Sequence, residues 1–343
     1  MKPNFVRISR LALGAAAMGL AAWTAGAWAQ NAPRGQNNAQ VKVFPVRGNI
    51  YMLSGAGGNI TLSVGPEGVL MVDTGLASMS EKVLAAVNQL SQTVANKGLS
   101  GVNIQPPHPI RIIINTHAHP DHIGGNETLV KAGKTYTGGN VSGQLNEGAQ
   151  IYAHENVLNT MTAMKPPIPF VALPTDTYHV EYMNLSHFFN GEGVQIFFEP
   201  AAHTDGDSMV YFRGSDVLST GDIFTPGRYP IVDLAHGGTI NGLIAALNRI
   251  LEIAVPEFRL EGGTYMIPGH GRVTDAADVA YYRDAVTIIR DRIQDAIKRG
   301  LTVDQIKEAK LTLDYDGIYG ATTGIWTTDM FIDAVYKSLS QKK

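Results

Sequence analysis

Thr116-His117-Ala118-His119-Pro120-Asp121-His122 follows directly on the apolar run Ile112-Ile113-Ile114 and Asn115. An apolar run without alternation is the pattern of a strand buried on both faces. A loop leaving such a strand can fan closely spaced side chains into one cavity. Here three histidines and an aspartate fall within six positions, in a chain with 10 histidines among 343 residues. Imidazole nitrogen and carboxylate oxygen are donors that suit zinc. Three histidines hold one ion well. A second ion needs the carboxylate and further ligands from elsewhere in the chain.

Working outward, residues 41–46, 50–53, 60–64 and 69–72 read as short strands separated by glycine-bearing turns, with Pro66-Glu67-Gly68 as a hairpin signal. Ser78 with Glu81 predicts a capping box. Val83, Leu84, Val87 and Leu90 then share one helical face. Residues 132–147 look like an insertion or long loop. Residues 165–191 hold Pro166, Pro167, Pro169 and Pro174, which argues against regular structure there. Beyond them the pattern repeats. Strands are expected at 151–153, 194–199, 209–212, 217–218 and 265–267, and helices at 243–253, 279–297 and 328–339. Gly300 marks the end of the long helix, and Thr302 with Gln305 opens a short one. Two strand-rich halves, each followed by helices, imply two sheets face to face with helices outside.

Charged residues are 17% of the chain, hydrophobic residues 44%, and the net charge is -3. That balance carries no footprint of nucleic-acid binding or of a polyanionic partner; the partner expected is a small-molecule substrate. Cysteine is absent, which removes disulfides, thiolate ligands and cysteine nucleophiles. Lys2, Arg7 and Arg10 precede an apolar run over residues 11–28, ending in Ala27-Trp28-Ala29 before Gln30. This reads as a Sec-type signal peptide over 1–29, with a disordered leader over 30–40 and a catalytic domain over 41–343. The expected mature protein is periplasmic or secreted, and not membrane-bound after cleavage.

His117-Ala118-His119-Pro120-Asp121-His122 resembles the H-x-H-x-D-H signature of the metallo-β-lactamase superfamily. Val72-Asp73-Thr74-Gly75 is similar to the family's first motif, and His203-Thr204 to its third. Ser219-Thr220-Gly221-Asp222 is similar to the fourth, and Pro268-Gly269-His270-Gly271 to the fifth, all in family order. The resemblance implies an α/β fold, a four-layer αβ/βα sandwich with the site at one edge. It assigns one metal to His117, His119 and His203, and a second to Asp121, His122 and His270. Asp222 would bridge the two, and Asp73 would hydrogen-bond a ligand histidine. Two Zn(2+) per chain are implied, with iron as the alternative. The reaction implied is attack by a metal-bridging hydroxide on a cyclic amide, lactone or ester carbonyl, with Asp121 orienting the nucleophile and moving its proton.

One large lactamase group has cysteine at the bridging position, where this chain has Asp222. An aspartate there resembles glyoxalase-type thioester hydrolases and lactonases. Some members with this ligand set bind one iron and oxidise sulfur compounds, the alternative from another class. Three residues are weaker candidates for substrate contact. Arg228 and Tyr229 follow the bridging aspartate in a loop expected to rim the cleft, with loop packing as the competing reading. His236 either lines the pocket or sits on the surface. Gly55-Ala56-Gly57-Gly58-Asn59 is either a flap over the site or a plain hairpin turn. His108, His154, His179 and His187 match no motif, and the region of Trp326 and Phe331 reads as helix packing.

Overall fold

Apolar side chains alternate along successive strands and so present one row to each of two cores. In the computed structural model, which describes residues 39–97, 104–135, 148–254 and 262–341, this alternation builds two sheets back to back. The first sheet runs in sequence order through β1 (Lys42–Arg47), β2 (Ile50–Ala56), β3 (Gly58–Gly65), β4 (Gly68–Val72), β5 (Ile110–Ile114), β6 (Gln150–His154) and β7 (Asp176–Tyr178). β1 to β4 form an antiparallel meander, and β5, β6 and β7 then add in parallel. The second sheet has the order β12-β11-β10-β9-β8, from β8 (Tyr182–Phe189), β9 (Glu192–Glu199), β10 (Asp207–Phe212), β11 (Val217–Gly221) and β12 (Tyr265–Pro268). β8 to β11 are antiparallel, and β12 joins β11 in parallel.

Ile50, Met52, Leu70, Val72, Ile112 and Ile114 face Val194, Ile196, Val210, Phe212, Val217 and Ile267 between the sheets. Their neighbours Leu53, Val69, Met71, Ile110 and Ile113 point the other way, onto α1 (Ser80–Ala95). Met209, Leu218 and Met266 likewise turn outward, onto α5 (Ile240–Ala254) and α6 (Ala276–Lys298). The result is the expected four-layer αβ/βα arrangement. Burying one such side chain contributes roughly 1.5–3 kcal/mol. Ile114, fully buried between the sheets, would cost about 2–5 kcal/mol on truncation to alanine.

Short helices α2 (Pro120–Ile123), α3 (Asn126–Ala132) and α4 (Glu155–Ala163) lie in the first half of the chain. α7 (Val303–Glu308), α8 (Leu313–Tyr319) and α9 (Thr328–Ser340) complete the second. The long helix α6 ends as Gly300 suggested: Gly300 N–H donates to Ile297 and Leu301 N–H to Ala296, with Gly300 at a φ of 83°. The Thr302–Gln305 capping box at α7 is present.

Two expectations need correction, and one open alternative is decided. The Ser78–Glu81 capping box does not form, because residues 77–79 make a 3-10 turn and α1 starts behind it with no side-chain cap. The proline-rich stretch is more regular than expected: every one of its prolines lies before Asp176, leaving β7 and β8 free to pair. The glycine segment at 55–59 is a tight turn between β2 and β3, not a flap. Asn59 is bolted to the opposite sheet, its N–H donating to Gly269 O at 2.7 Å and its Nδ2 to Pro268 O and Gly271 O at 2.9 Å. A Cβ on Gly58 would lie 2.8 Å from the His122 ring, so only glycine fits there. The signal peptide and all but the last two residues of the leader lie outside the described residues, as does most of the 132–147 insertion. Ala39–Lys343 forms one compact unit.

Candidate metal centre

Strand direction gathers the site. β4 and β5 run parallel, as do β11 and β12, so the loops leaving them emerge at one edge of the sandwich. Asp73 follows β4, His117 and His119 follow β5, and Asp121 and His122 lie in α2. His203 follows β9, Asp222 directly follows β11, and His270 follows β12. All seven residues expected as ligands are brought together. Their donor atoms form overlapping groups: His117, His119 and His203; His117, His122 and Asp222; and Asp121, His122 and His270, each within 4.8 Å.

The His117, His119 and His203 rings stand 4.8 Å apart pairwise, at interplanar angles of 80–90°. The histidines' outward nitrogens are tied down. Thr116 Oγ1 donates to Asp73 Oδ2 at 2.8 Å and therefore accepts from His117 Nδ1 at 3.0 Å. His203 Nδ1 donates to the Ile231 carbonyl at 2.8 Å. His119 Nε2 lies 2.9 Å from Asp233 Oδ2, and His122 Nδ1 lies 2.7 Å from Asp73 Oδ2. Each of these contacts places the proton on the outer nitrogen and bares the inner one. His203 Nε2 and His119 Nδ1 then face each other at 3.0 Å as two lone pairs. That approach is repulsive unless positive charge lies between them.

Among the described residues, three buried atoms of the cluster have no well-aligned hydrogen-bond partner: His117 Nε2, and His122 Nε2 and Asp222 Oδ1, which lie 3.3 Å apart. Leaving a buried polar atom unsatisfied costs about 1–3 kcal/mol, so three converging ones call for an occupant. Asp222 lies between the groups, 3.3 Å from His122 Nε2, 3.4 Å from His270 Nε2 and 3.9 Å from His203 Nε2. Asp121 Oδ2 is 3.2 Å from His270 Nε2 and 3.8 Å from His122 Nε2. A cation fits this cradle of nitrogen and oxygen donors.

Electrostatics differ across the cluster. Burial pushes His117 well below the usual imidazole value, and His122, His119 and His203 push it further. Burial and His119 bring His203 down to about 4. His122 goes the other way: burial opposes its charge, yet Asp222, Asp73 and Asp121 raise it well above the usual value. His270 is raised to about 9 by Asp222 and Asp121, against burial. Burial would raise Asp222, but His270 and His122 hold it well below the carboxylate range. Asp121 is likewise held down by His122 and His270 against burial.

The weaker candidates fare differently. Tyr229 is buried, stacks on Phe331 at 4.5 Å, and donates its hydroxyl to Asp316 Oδ1 at 2.8 Å. It packs the second core and offers no face to a substrate, because the ring that covers it comes from α9. Arg228 is half-buried with its charge near the Tyr282 hydroxyl. His236 is partly exposed and bonded to Asp233 Oδ2 at 2.6 Å. It meets the cluster through that carboxylate and edge-on to the His119 ring, 6.2 Å between ring centres. Asp233 itself was not anticipated. It sits at the start of a 3-10 turn and takes both histidines on one oxygen. Those contacts hold its carboxyl well below the usual range although burial opposes it. Its one sequence signal is an aspartate three residues before a histidine.

With this geometry in place, comparison with known proteins fixes the class. The sequence profile of the metallo-beta-lactamase superfamily matches residues 53–270, and the chain belongs to that superfamily. A linear primary-alkylsulfatase of Pseudomonas sp. (strain ATCC 19151) is 25% identical over 277 residues, covering 71% of this chain and 48% of that protein. The stereoselective inverting sec-alkylsulfatase Pisa1 from Pseudomonas sp. superposes with a TM-score of 0.61 at 17% identity, over 88% of this chain and 50% of its own. A metallo-beta-lactamase from Pontibacter korlensis gives 0.51 at 15% identity, over 72% of this chain and 99% of its own. The chain thus spans about half the length of the alkylsulfatases it matches. It has the superfamily's fold.

Proposed function

We propose that this protein is a dinuclear zinc hydrolase of ester-type bonds, with alkyl sulfate esters the first substrate class to test. The observation that carries this reading is the set of three buried atoms without a well-aligned partner, His117 Nε2, His122 Nε2 and Asp222 Oδ1, between two complete ligand triads. His117, His119 and His203 would hold one ion, Asp121, His122 and His270 the other, and Asp222 would contact both. Bound there, the ions supply Lewis acidity and lower the pKa of water at the site.

The chain's own residues do the positioning. Asp73 fixes His122 and, through Thr116, His117. Asp233 fixes His119, and the Ile231 carbonyl fixes His203. Asp121 is 30% exposed, while Asp222 is 5% exposed. Asp121 is therefore the carboxylate at the mouth, and it would orient the attacking water and take its proton. Water adds across the ester bond, and an alcohol leaves with hydrogen sulfate, or with a carboxylic acid from a carbonyl ester. The sequence expectation centred on carbonyl substrates. The match to an alkylsulfatase over 71% of the chain moves sulfate esters ahead of lactones, β-lactams and thioesters. An exported location, read from residues 1–29, belongs to the same proposal.

The test is a turnover panel of alkyl sulfates, carboxylic esters, lactones, thioesters and β-lactams with zinc-loaded protein. Hydrolysis of sulfate or carboxylic esters that is lost in His117→Ala supports the reading. Unchanged turnover in His117→Ala, or oxygen uptake with a sulfur substrate, overturns it.

A further inference from the structure

Beside the cluster lies a cleft of about 500 Å³ whose walls come from three places. Phe224 and Pro226 belong to the loop that leaves Asp222, and Arg272 to the loop that leaves His270. Tyr281 stands in the first turns of α6, and Ile318 and Tyr319 close α8. The two loops touch, since a Cβ on Gly271 would meet Pro226 Cγ at 3.1 Å. The far wall lies beyond residue 270, where the superfamily profile stops.

The chemistry of this cleft is apolar and aromatic. Tyr281 and Tyr319 lie 6.4 Å apart, Tyr282 and Tyr319 5.3 Å, and Phe224 and Tyr282 5.1 Å, ring centre to ring centre. Tyr281 and Ile318 are each 52% exposed. Two large apolar side chains left half in solvent, both against one cleft, are unlike scattered surface hydrophobics. The rim charges cancel: Arg272 pairs with Asp278 at 2.9 Å. The cluster stands at the root of the same two loops, where His119 and His270 are each 26% exposed and His270 Nε2 lies 3.2 Å from Asp121 Oδ2.

We infer that this cleft holds the hydrocarbon tail of the substrate while its ester head lies at His270 and Asp121. The inference rests on the hydrolase reading above and narrows it to amphiphilic esters with an apolar tail. Tyr281 and Ile318 are then specificity residues, supplied by the helices of this chain's own C-terminal third. Each methylene enclosed in a cleft of this kind raises affinity by up to about fourfold, and by about twofold where half its surface stays wet.

The experiment is calorimetry of zinc-loaded, full-length protein with 1-butanesulfonate, 1-hexanesulfonate and 1-octanesulfonate, whose C–S bond resists hydrolysis. Octanesulfonate is expected to bind about 10-fold or more tightly than butanesulfonate. Tyr281→Ser with Ile318→Ser should flatten that ratio to less than about threefold, with zinc content unchanged. Ile318→Ser alone should lower the ratio part-way, and Tyr281→Phe with Ile318→Leu should preserve it. A flat series in the native protein, showing the cleft closed to tails or covered by another segment, overturns the inference. So does a gradient that survives both serines. A protein holding fewer than two zinc ions that keeps the gradient, and loses it in the double serine variant, overturns the dinuclear reading and leaves the tail site standing.

Discussion

The two ligand triads of one cluster are built on opposite electrostatic principles. His117, His119 and His203 form an all-imidazole group in which His117 and His203 are pushed toward the neutral form by burial and by one another. Asp121, His122 and His270 form a carboxylate-rich group in which His122 and His270 are drawn toward the charged form by Asp222 and Asp121. The first triad is ready-made for a metal, with its lone pairs bared by Thr116, Asp233 and the Ile231 carbonyl. The second attracts positive charge of any kind. Asp222 touches both and couples them.

The variants that test this contrast follow from it. Asp222→Ala removes the shared carboxylate, so both ions should be lost and kcat/KM should fall on the order of 10³-fold, about 4 kcal/mol of transition-state stabilisation. Asp73→Asn should come next. Asparagine tolerates the positive φ of 65° at that position, but its single amide oxygen cannot replace the two carboxylate oxygens that accept from Thr116 and His122. A fall of about 10- to 100-fold in affinity for both ions is expected in a zinc-chelator titration. Asp233→Asn touches only His119 in the cluster, so a fall of similar size should be confined to one ion. Equal losses at both ions would break the contrast between the triads.

Two smaller effects separate the site from the scaffold behind it. Burial, with Asp207, Glu181 and Glu252, raises Glu199 from 4.5 to about 8 although Arg249 opposes this. The folded state therefore holds a proton that the unfolded chain releases, and stability falls as pH rises from 4.5 to 8. Glu199→Gln should leave stability unchanged below pH 4 and raise it by about 1–2 kcal/mol above pH 8, read from urea melts. Tyr229→Phe should cost about 1 kcal/mol through the lost bond to Asp316, with KM unaltered. A changed KM would restore Tyr229 to the substrate cleft.

These residues also show what a sequence can reveal. The ligands were legible because four of them lie within six positions at the end of a buried strand, and the rest follow strand ends. The sandwich was legible because the strands alternate. Asp233 was not, because its role depends on a loop folding back across the sheet edge to meet His119, 114 residues earlier. Tyr229 stayed open between cleft and packing because the ring that buries it, Phe331, belongs to the last helix. Pro166 to Pro174 leave only a 3-10 turn at Phe170–Ala172 over their own length, but they said nothing of the edge strand β8 that follows. Contacts made across the chain carry no local pattern.

The central claim is that this cluster holds two ions with Asp222 between them. Elemental analysis of the purified native protein and of Asp222→Ala tests it most directly. Two zinc ions per chain in the native protein, and fewer than one in the variant, are the predicted result. One iron per chain, or two zinc ions retained without Asp222, would contradict it.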